Sequence, residues 1–432
     1  MTEPTPSHPW RRAARVATWT ALAAVVVGYF FKGQCLQAVD GRDLYERLCY
    51  SDLPPFYGLR GVADHVFPYI HGRLEAGALV DGAMEYPVLT GVFMWFSGLL
   101  VETSEHYFVV SALAMAPLAL VVAYLLARMR GPRALMWAAG PPLVLYAFHN
   151  WDLLVVTAAV AGMWCWSRDK PVWAALWFGA GAAFKLYPIF FLAPLFLDVL
   201  RKRGAGRAAA VSGAGLGTFA LINLPFVIAN ASGWWATYEF HRVRGPNFDN
   251  MWNLWFPSDT WLGSYPSLTP ATLNLVTGSL TALFFAGALW FGWRRATREG
   301  VYPFLQVCGA MLAAFLLLNK VHSPQYTLWI LPFFPLLRVN VLWWVGYVVV
   351  DAVTYYGIFE WFYELSQERD FGTAKKLMIG GVWYRAVLLL ALFVAFLRAR
   401  NEYEGPEAEA AGVREPRRPE PDHGPERVPV GA

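Results

Sequence analysis

Residues 13–31, AARVATWTALAAVVVGYFF, form the first apolar run of this sequence and decide its structural class. A helix of about 19 residues, at about 1.5 Å per residue, approaches the roughly 30 Å thickness of the hydrocarbon core of a bilayer. The run is longer than the core of a signal peptide, and no small-residue cleavage site separates it from the polar stretch that follows. We therefore expect a retained membrane-spanning helix, preceded by a short cytoplasmic N-terminus, residues 1–12.

The composition extends this expectation to the whole chain. Of the 432 residues, 57% are hydrophobic and only 15% are charged, whereas about a quarter are charged in an average soluble domain. The net charge of +4 is spread along the chain, without a basic stripe among aromatic residues, so the sequence does not indicate nucleic-acid binding. Further long apolar runs predict an all-α polytopic membrane protein in the cell membrane.

Lysine and arginine gather in the short connections between apolar runs, for example in RKRGAGR at 201–207. The positive-inside rule places such connections in the cytoplasm. Both termini are then cytoplasmic, and the long loops at 32–106 and 230–270 are extracytoplasmic. The transmembrane domain would span residues 13–400. Residues 401–432, rich in Glu, Pro and Arg, are expected to form a disordered cytoplasmic tail.

Residues 87–101, PVLTGVFMWFSGLLV, are apolar but do not fit this topology as a full crossing. The loop before them lies outside, and the next apolar run, 107–127, must end inside. We therefore expect an interfacial helix at the outer surface. About twelve transmembrane helices remain, or thirteen if the charge rule fails at this segment.

Three hairpins are too short to cross the membrane comfortably in both directions. The first has about 33 residues between basic connections, whereas two full spans need about 40. Their tips, HNWD at 149–152, FKLYP at 184–188 and NKVHSPQY at 319–326, should therefore lie below the outer surface. Charged groups and irregular backbone at that depth normally face protein or a water-filled cavity. We expect an outward-open cavity lined by the tips; the alternative is ordinary outer loops with snorkelling lysines.

The polar residues of the tips suit a bound phosphate. Lys185 and Lys320 supply two cations, and His322 a further donor or cation. Asp52, within CYSDLPPFYGLRG at 49–61, is a carboxylate close to the outer surface that could take a proton from a hydroxyl. No nucleotide-binding fingerprint is present. A carboxylate base facing a lipid phosphate predicts glycosyl transfer from a lipid-phosphate sugar.

The first outer loop also resembles that of a known family. SDLPPFYGLRGVADHVFPYI at 51–70 and EYPVLTGVFMWF at 85–96 are similar to the corresponding loop of GT-C type membrane glycosyltransferases. Within that type, the chain is most similar to glycosyltransferase family 87, the polyprenyl-phosphate-mannose-dependent α-mannosyltransferases, from the first helix to about residue 400. The resemblance implies a GT-C fold and an inverting single displacement from a polyprenyl-phosphate sugar, expected to be mannose, to a glycolipid or glycan acceptor. It implies no tightly bound metal or other cofactor.

The resemblance assigns roles to individual residues. Asp52 would be the catalytic base, Lys185, Lys320 and His322 would hold the donor phosphate, and Arg60 would be a further contact. The expected substrate-binding set is completed by polar residues of the same segments: Tyr57, Glu85, Asn150, Asp152, Tyr187 and Gln325. Other acids of the first loop compete with Asp52 for the role of base: Asp40, Asp43, Asp64, Glu75, Asp81 and Glu85, of which Glu85 is the second choice.

Two further features leave alternatives open. Cys35 and Cys49 share one polar loop, where an extracytoplasmic position would allow a disulfide, although two unpaired thiols are the alternative. No Cys/His cluster indicates a metal site. The aromatic and amide residues of 230–270 would suit an acceptor platform or simply mark a membrane interface.

Two other functional classes would share a charged membrane cavity: a transporter or flippase for a lipid-linked substrate, and an inactive scaffold that binds lipid-linked glycans. Transporters often show an internal repeat, and the long first loop has no counterpart in the second half of the sequence. The glycosyltransferase is therefore the favoured interpretation.

Overall fold

The computed structural model describes residues 9–36, 41–255, 269–369 and 372–400, and it is predominantly helical. In these ranges the α-helices are α1 (Pro9–Gly33), α2 (Gly41–Glu46), α3 (Leu53–Leu59), α4 (Val88–Gly98), α5 (Ser104–Arg130), α6 (Leu135–Ala138), α7 (Pro141–Tyr146), α8 (Asp152–Ser167), α9 (Pro171–Ala182), α10 (Leu192–Arg203), α11 (Ala205–Val243), α12 (Met251–Trp255), α13 (Pro270–Glu299), α14 (Phe304–Leu318), α15 (Thr327–Ile330), α16 (Phe333–Leu336), α17 (Val341–Ser366) and α18 (Thr373–Arg398). Strands β1 (Arg73–Glu75) and β2 (Ala78–Val80) form an antiparallel hairpin, which the expectation of a purely α-helical chain did not include.

Among the described residues, six helices are long and apolar enough to cross a membrane: α1, α5, α11, α13, α17 and α18. They turn large apolar side chains outward; on α13, for example, Leu275, Leu283 and Trp290 are exposed. Such a surface suits contact with lipid. Lipid offers no hydrogen-bond partners, so a spanning helix satisfies its backbone groups internally and exposes apolar side chains. The chain is thus a multi-pass membrane protein, but the expected count of about twelve spans is not confirmed.

The short hairpins account for the lower count. Helices α8, α9, α10 and α14 have 16, 12, 12 and 15 residues, and therefore rise only about 18 to 24 Å. Each is shorter than the roughly 30 Å hydrocarbon core. All residues of α14 except Phe315 are buried, as expected for a helix that is apolar on every side and surrounded by protein.

The apolar segment at 87–101 forms α4, which has only 11 residues. Its rise of about 16 Å is half of a crossing. The backbone N–H of Leu89 donates to the carbonyl oxygen of Ala183 at 2.8 Å, and the Thr90 hydroxyl donates to that of Phe184 at 2.8 Å. Helix α4 therefore lies against the tip of the second hairpin.

The expected outer loop at 230–270 begins with a kink inside α11, and the helix does not end there. Asn230 has non-helical backbone angles inside α11, and the helix then continues to Val243. The side chain of Asn230 accepts a hydrogen bond from the N–H of Gly233 at 3.1 Å and donates to the carbonyl oxygen of Ile70 at 2.8 Å. One asparagine thus starts the second half of α11 and ties it to the first loop. Residues 256–268 lie outside the described ranges.

The basic connections meet at one end of the helices, here called the basic end. Arg133 shows how that end is held together, because its guanidinium donates to the carbonyl oxygens of Phe334, Leu337 and Val339 at 3.2, 3.0 and 3.2 Å. These donors satisfy carbonyl groups at a helix terminus. The hairpins begin and end there, so their polar tips lie at the opposite ends of the same helices.

Candidate functional site

Asp52 lies in a segment that is fixed on both sides. A disulfide between Cys35 and Cys49 joins this segment to the end of α1, and the backbone N–H of Asp52 donates to the carbonyl oxygen of His149 at 2.8 Å. Asp52 occupies the N-cap position of α3, yet its side chain makes no capping hydrogen bond. The carboxylate is therefore free to interact with the first hairpin tip.

Two hydrogen bonds hold that carboxylate. Nδ2 of Asn150 donates to Oδ2 of Asp52 at 2.7 Å, and Tyr50 forms a second side-chain hydrogen bond. Burial raises the pKa of Asp52 to about 6, opposed by these hydrogen bonds and by the charge of Lys185, and supported by the charge of Glu85. Such a carboxyl group is ionised at neutral pH and is more basic than an ordinary aspartate, as a general base requires.

A buried ion pair joins the three hairpins. Nζ of Lys185, from the second tip, lies 2.8 Å from Oδ1 of Asp152 in the first tip and donates to Oδ1 of Asn150 at 3.2 Å. Nε1 of Trp329, from the third hairpin, donates to the same oxygen of Asp152 at 2.6 Å. Because Asn150 also contacts Asp52, one hydrogen-bonded network runs from the base candidate to all three hairpins.

Aromatic rings surround the ammonium group of Lys185. Its Nζ lies 5.2, 5.4 and 5.6 Å from the ring centroids of Tyr86, Tyr326 and Trp329, within the range of cation–π attraction. Tyr187 stacks on Trp329 with centroids 4.6 Å apart. The resemblance predicts that Lys185 binds phosphate. In the structure Lys185 forms an ion pair with Asp152, so a bound phosphate would share the ammonium group with that carboxylate.

Lys320 belongs to a second, more cationic cluster. Its Nζ donates to the carbonyl oxygens of Arg242 and Arg244 at 3.2 and 2.6 Å. The Arg244 guanidinium donates to Oδ1 of Asn247 at 2.6 Å, and Nδ2 of Asn247 donates to the carbonyl oxygen of His322 at 2.5 Å. Burial and the neighbouring charge of Arg244 lower the pKa of Lys320 to about 8, so it remains mainly charged at neutral pH. Within the described residues, neither Lys320 nor Arg244 forms an ion pair with a carboxylate.

His322 and Gln325 each keep a buried polar atom, Nε2 and Oε1, that has no hydrogen-bond partner in the described part of the chain. Nδ1 of His322 lies 3.3 Å from the carbonyl oxygen of Leu316, and only as a donor can it bond to a carbonyl, which leaves Nε2 of the neutral ring as an acceptor. A neutral His322 therefore does not supply through Nε2 the hydrogen-bond donor that the sequence predicts. Unpartnered buried atoms are positions that a bound molecule can satisfy.

Arg60 and Glu85 form an ion pair of 2.6 Å, with each side chain 16% exposed. The charge of Glu85 is thus compensated, and its carboxylate is a weaker candidate for the base than that of Asp52. The hydroxyl of Tyr57 donates to the carbonyl oxygen of Val101 at 3.1 Å. Tyr57 therefore fastens α3 to the connection between α4 and α5, although a substrate contact was expected from the sequence.

Three of the remaining acids of the first loop, Asp64, Glu75 and Asp81, are exposed. Glu75 and Asp81 both contact the exposed Arg73 of the β-hairpin. Asp40 lies outside the described residues. In the described ranges, no group of three or more His, Cys, Asp or Glu side chains is arranged to hold a metal ion.

Lys32, the last charged residue of α1, also belongs to this site and was not expected there from the sequence. Its Nζ donates to the carbonyl oxygen of Tyr50 at 2.6 Å and to the hydroxyl of Tyr355 at 2.9 Å, and it lies 3.3 Å from Nδ1 of His149. The side chain is 1% exposed, and the charge of Asp52 acts on its ammonium group. A lysine that ends an apolar run usually snorkels to the interface, so no pattern in the sequence distinguishes this one.

Asp249 and Arg385 form a further ion pair that was not expected from the sequence, with nitrogen and oxygen atoms 3.6 Å apart. Both side chains are buried, and the Arg385 guanidinium also donates to the backbone oxygen of Asp249. Next to it, Nδ2 of Asn250 donates to the carbonyl oxygen of Asn319 at 2.7 Å. These contacts thus hold residues 249 and 250 against α18 and the third hairpin tip, beside the Lys320 cluster. A signal existed, since Arg385 is an ionisable residue within an apolar helix.

The family model of Glycosyltransferase family 87 matches residues 85–318, which is more than half of the chain and includes Asn150, Asp152 and Lys185, whereas Asp52 precedes it. No curated protein matches in sequence.

Among solved structures, the apo oligosaccharyltransferase of Archaeoglobus fulgidus matches with 12% identity and a TM-score of 0.37. The match covers 86% of this chain and 56% of the archaeal chain. A TM-score this low does not define the fold. The extent of the family match does identify the chain, which belongs to glycosyltransferase family 87 and is a membrane glycosyltransferase.

Proposed function

We propose that the protein transfers a sugar, which we expect to be mannose, from a polyprenyl-phosphate donor to a hydroxyl group of a glycolipid or glycan acceptor. The observation that carries this proposal is the partly buried carboxylate of Asp52, held by Asn150 in a network that reaches all three hairpins. The family supplies the reaction class, glycosyl transfer. The donor, the acceptor and the base are inferences from the chemistry of the site.

In this mechanism Asp52 accepts the proton of the acceptor hydroxyl as the oxygen attacks the anomeric carbon. The bond between that carbon and the phosphate oxygen breaks, its electron pair leaves with the polyprenyl phosphate, and the anomeric configuration inverts. A pKa of about 6 leaves Asp52 mostly ionised at pH 7 and basic enough to assist. Asn150 positions the carboxylate, and Lys185 holds Asn150.

The leaving phosphate gains negative charge and needs cations nearby. Lys320 and Arg244 are the best candidates, because both are charged and neither is paired with a carboxylate among the described residues. Tyr326 bridges this cluster to Lys185, since its ring centroid lies 5.7 Å from that of His322 and 5.4 Å from the Lys185 ammonium. Lys185 would add a further contact.

The topology that goes with this proposal has the basic end in the cytoplasm, following the positive-inside rule. Residues 1–12 and 401–432 are then cytoplasmic, residues 13–400 form one transmembrane domain, and the Asp52 site faces the extracytoplasmic side. The acceptor would approach along the outer part of 230–270 and the rim formed by Arg60 and Glu85.

The test uses the purified full chain in detergent with a panel of polyprenyl-phosphate sugars and candidate glycan acceptors. We expect a glycosylated product, and a loss of about a hundredfold or more in kcat for Asp52→Asn. Asp64→Asn is the matched control, because it removes an exposed carboxylate of the same loop and should retain most activity. Equal losses in both variants, or full activity of Asp52→Asn, would remove Asp52 from the role of base. Transport of the lipid-linked sugar without any product would favour a flippase.

A further inference from the structure

A second charged cavity lies at the basic end, far along the helices from Asp52. It has a volume of about 420 Å³ and is lined by Trp290, Phe291, Arg294, Arg295, Arg298 and Glu299 of α13 and by Arg398 of α18. A cavity of this size falls in the range of small-molecule sites. Four arginines and a single carboxylate give its lining a net positive charge.

Among the four arginines that line the cavity, Arg295 has a structural role. Its Nε donates to Glu299 at 2.7 Å, and its guanidinium also donates to the carbonyl oxygens of Leu397 and Ala399 at 2.8 and 2.7 Å. The lining carboxylate is therefore already used by Arg295, which fixes the end of α18 against α13. The cavity is thus a built feature of two helix ends.

The other three arginines are available to a ligand. Within the described ranges, Arg294, Arg298 and Arg398 form no ion pair with a carboxylate, and all three are exposed. Guanidinium groups bind phosphate with two parallel hydrogen bonds, so three of them around one cavity suit a phosphate group.

On both α13 and α18, exposed apolar side chains form a stripe along the helix face that ends at these arginines. On α13, Leu283 and Trp290 are 64% and 62% exposed, and at helical spacing they share a face with Arg294. On α18, Val387 and Val394 are exposed on the face that ends in Arg398. Phosphate-binding groups at the end of two parallel apolar stripes match an amphiphile that lies along the helices.

We propose that this cavity binds the headgroup of an anionic phospholipid, with its acyl chains along the outward faces of α13 and α18. The exposed indole of Trp290, below Arg294, is at the level where aromatic side chains meet the headgroup region. Basic pockets between transmembrane helices on the cytoplasmic side are suited to such lipids. The proposal does not depend on glycosyl transfer, because the cavity lies at the opposite end of the helices.

The experiment measures lipid retention by native mass spectrometry of the purified full chain, with dioleoylphosphatidylglycerol and dioleoylphosphatidylcholine as probes. We expect the wild type to retain the anionic lipid at least tenfold better than the zwitterionic lipid. The triple variant Arg294→Ala/Arg298→Ala/Arg398→Ala should lose about a hundredfold in affinity for the anionic lipid, at about fivefold for each arginine. The single variant Arg298→Ala should lose about fivefold.

The matched control is Arg12→Ala/Arg15→Ala/Arg207→Ala, which removes the same charge from exposed arginines of the basic end outside the cavity. This variant should keep the preference for the anionic lipid. Equal retention of both lipids by the wild type, or equal losses in the two triple variants, would overturn the proposal. Displacement of the anionic lipid by inorganic phosphate at millimolar concentration would assign the cavity to free phosphate and overturn it as well.

Discussion

Replacement of Asn150 by alanine tests how Asp52 is kept ionised. Nδ2 of Asn150 donates to Oδ2 of Asp52 at 2.7 Å, and this hydrogen bond lowers the pKa of Asp52, which burial has raised to about 6. A hydrogen bond to a charged group contributes about 1.5 to 3 kcal/mol. Its loss disfavours the carboxylate by that amount and should raise the pKa of Asp52 by about one to two pH units.

The sign of the effect on activity follows from the role of the base. A base works only when ionised, so the wild type should lose activity as the pH falls through about 6. In Asn150→Ala the acidic limb of kcat should move up to about pH 7 to 8, and the ionised fraction at pH 7 should fall from about nine-tenths to between about half and a tenth. Activity should recover substantially at pH 9.

The assay is kcat against pH from 5 to 9 with saturating donor and acceptor. The midpoint of the acidic limb does not depend on how much protein is folded, which separates the effect from simple destabilisation. Asn223→Ala is the control, because Asn223 is also buried and hydrogen-bonded, to Trp234 and Phe219, but lies away from Asp52. An acidic limb that stays near pH 6 in Asn150→Ala, or that moves equally in Asn223→Ala, would contradict this role of Asn150.

Three further predictions concern other parts of the structure. Lys320→Ala should raise the KM for the donor about tenfold or more, measured by initial rates, because it removes a charge-assisted contact to the phosphate. Loss of the disulfide in Cys35→Ser/Cys49→Ser should lower the free energy of unfolding by about 3 kcal/mol, seen as a lower Tm, because the loop it closes becomes unconstrained. Arg385→Ala should destabilise the protein by about 3 to 5 kcal/mol, again by Tm, because it leaves Asp249 buried and charged.

Each of these has its own control. Lys202→Ala removes an exposed lysine that pairs with a carboxylate at the basic end and should not change the donor KM; an unchanged KM in Lys320→Ala would contradict the phosphate site. Cys165→Ser removes a free buried cysteine, and its Tm should fall less than that of the disulfide variant. Adding Asp249→Asn to Arg385→Ala should restore part of the stability; no recovery would show that the pair is not the cause.

Much of the structural class and of the arrangement of the hairpins could be predicted from the sequence. Long apolar runs, few charges and clustered arginines predict a multi-pass membrane protein, because lipid imposes the same demand on every spanning segment. The short hairpins were predicted from length alone, and their tips meet around Asp152 and Lys185. The number of spans could not be predicted, because an apolar helix buried in protein looks the same in sequence as one that crosses lipid. The short, almost fully buried α14 is the clearest example.

The order of residues along the chain therefore establishes which segments are apolar, which polar residues interrupt them and, through the family match, the reaction class. The partners of those polar residues follow from how the helices pack. The tertiary structure pairs Lys185 with Asp152, compensates Glu85 with Arg60, and leaves Lys320 beside another cation. It also brings Lys32 next to the Asp52 segment. The reason is physical: hydropathy is a property of neighbours along the chain, whereas the effect of a charge depends on the groups within a few ångströms in space.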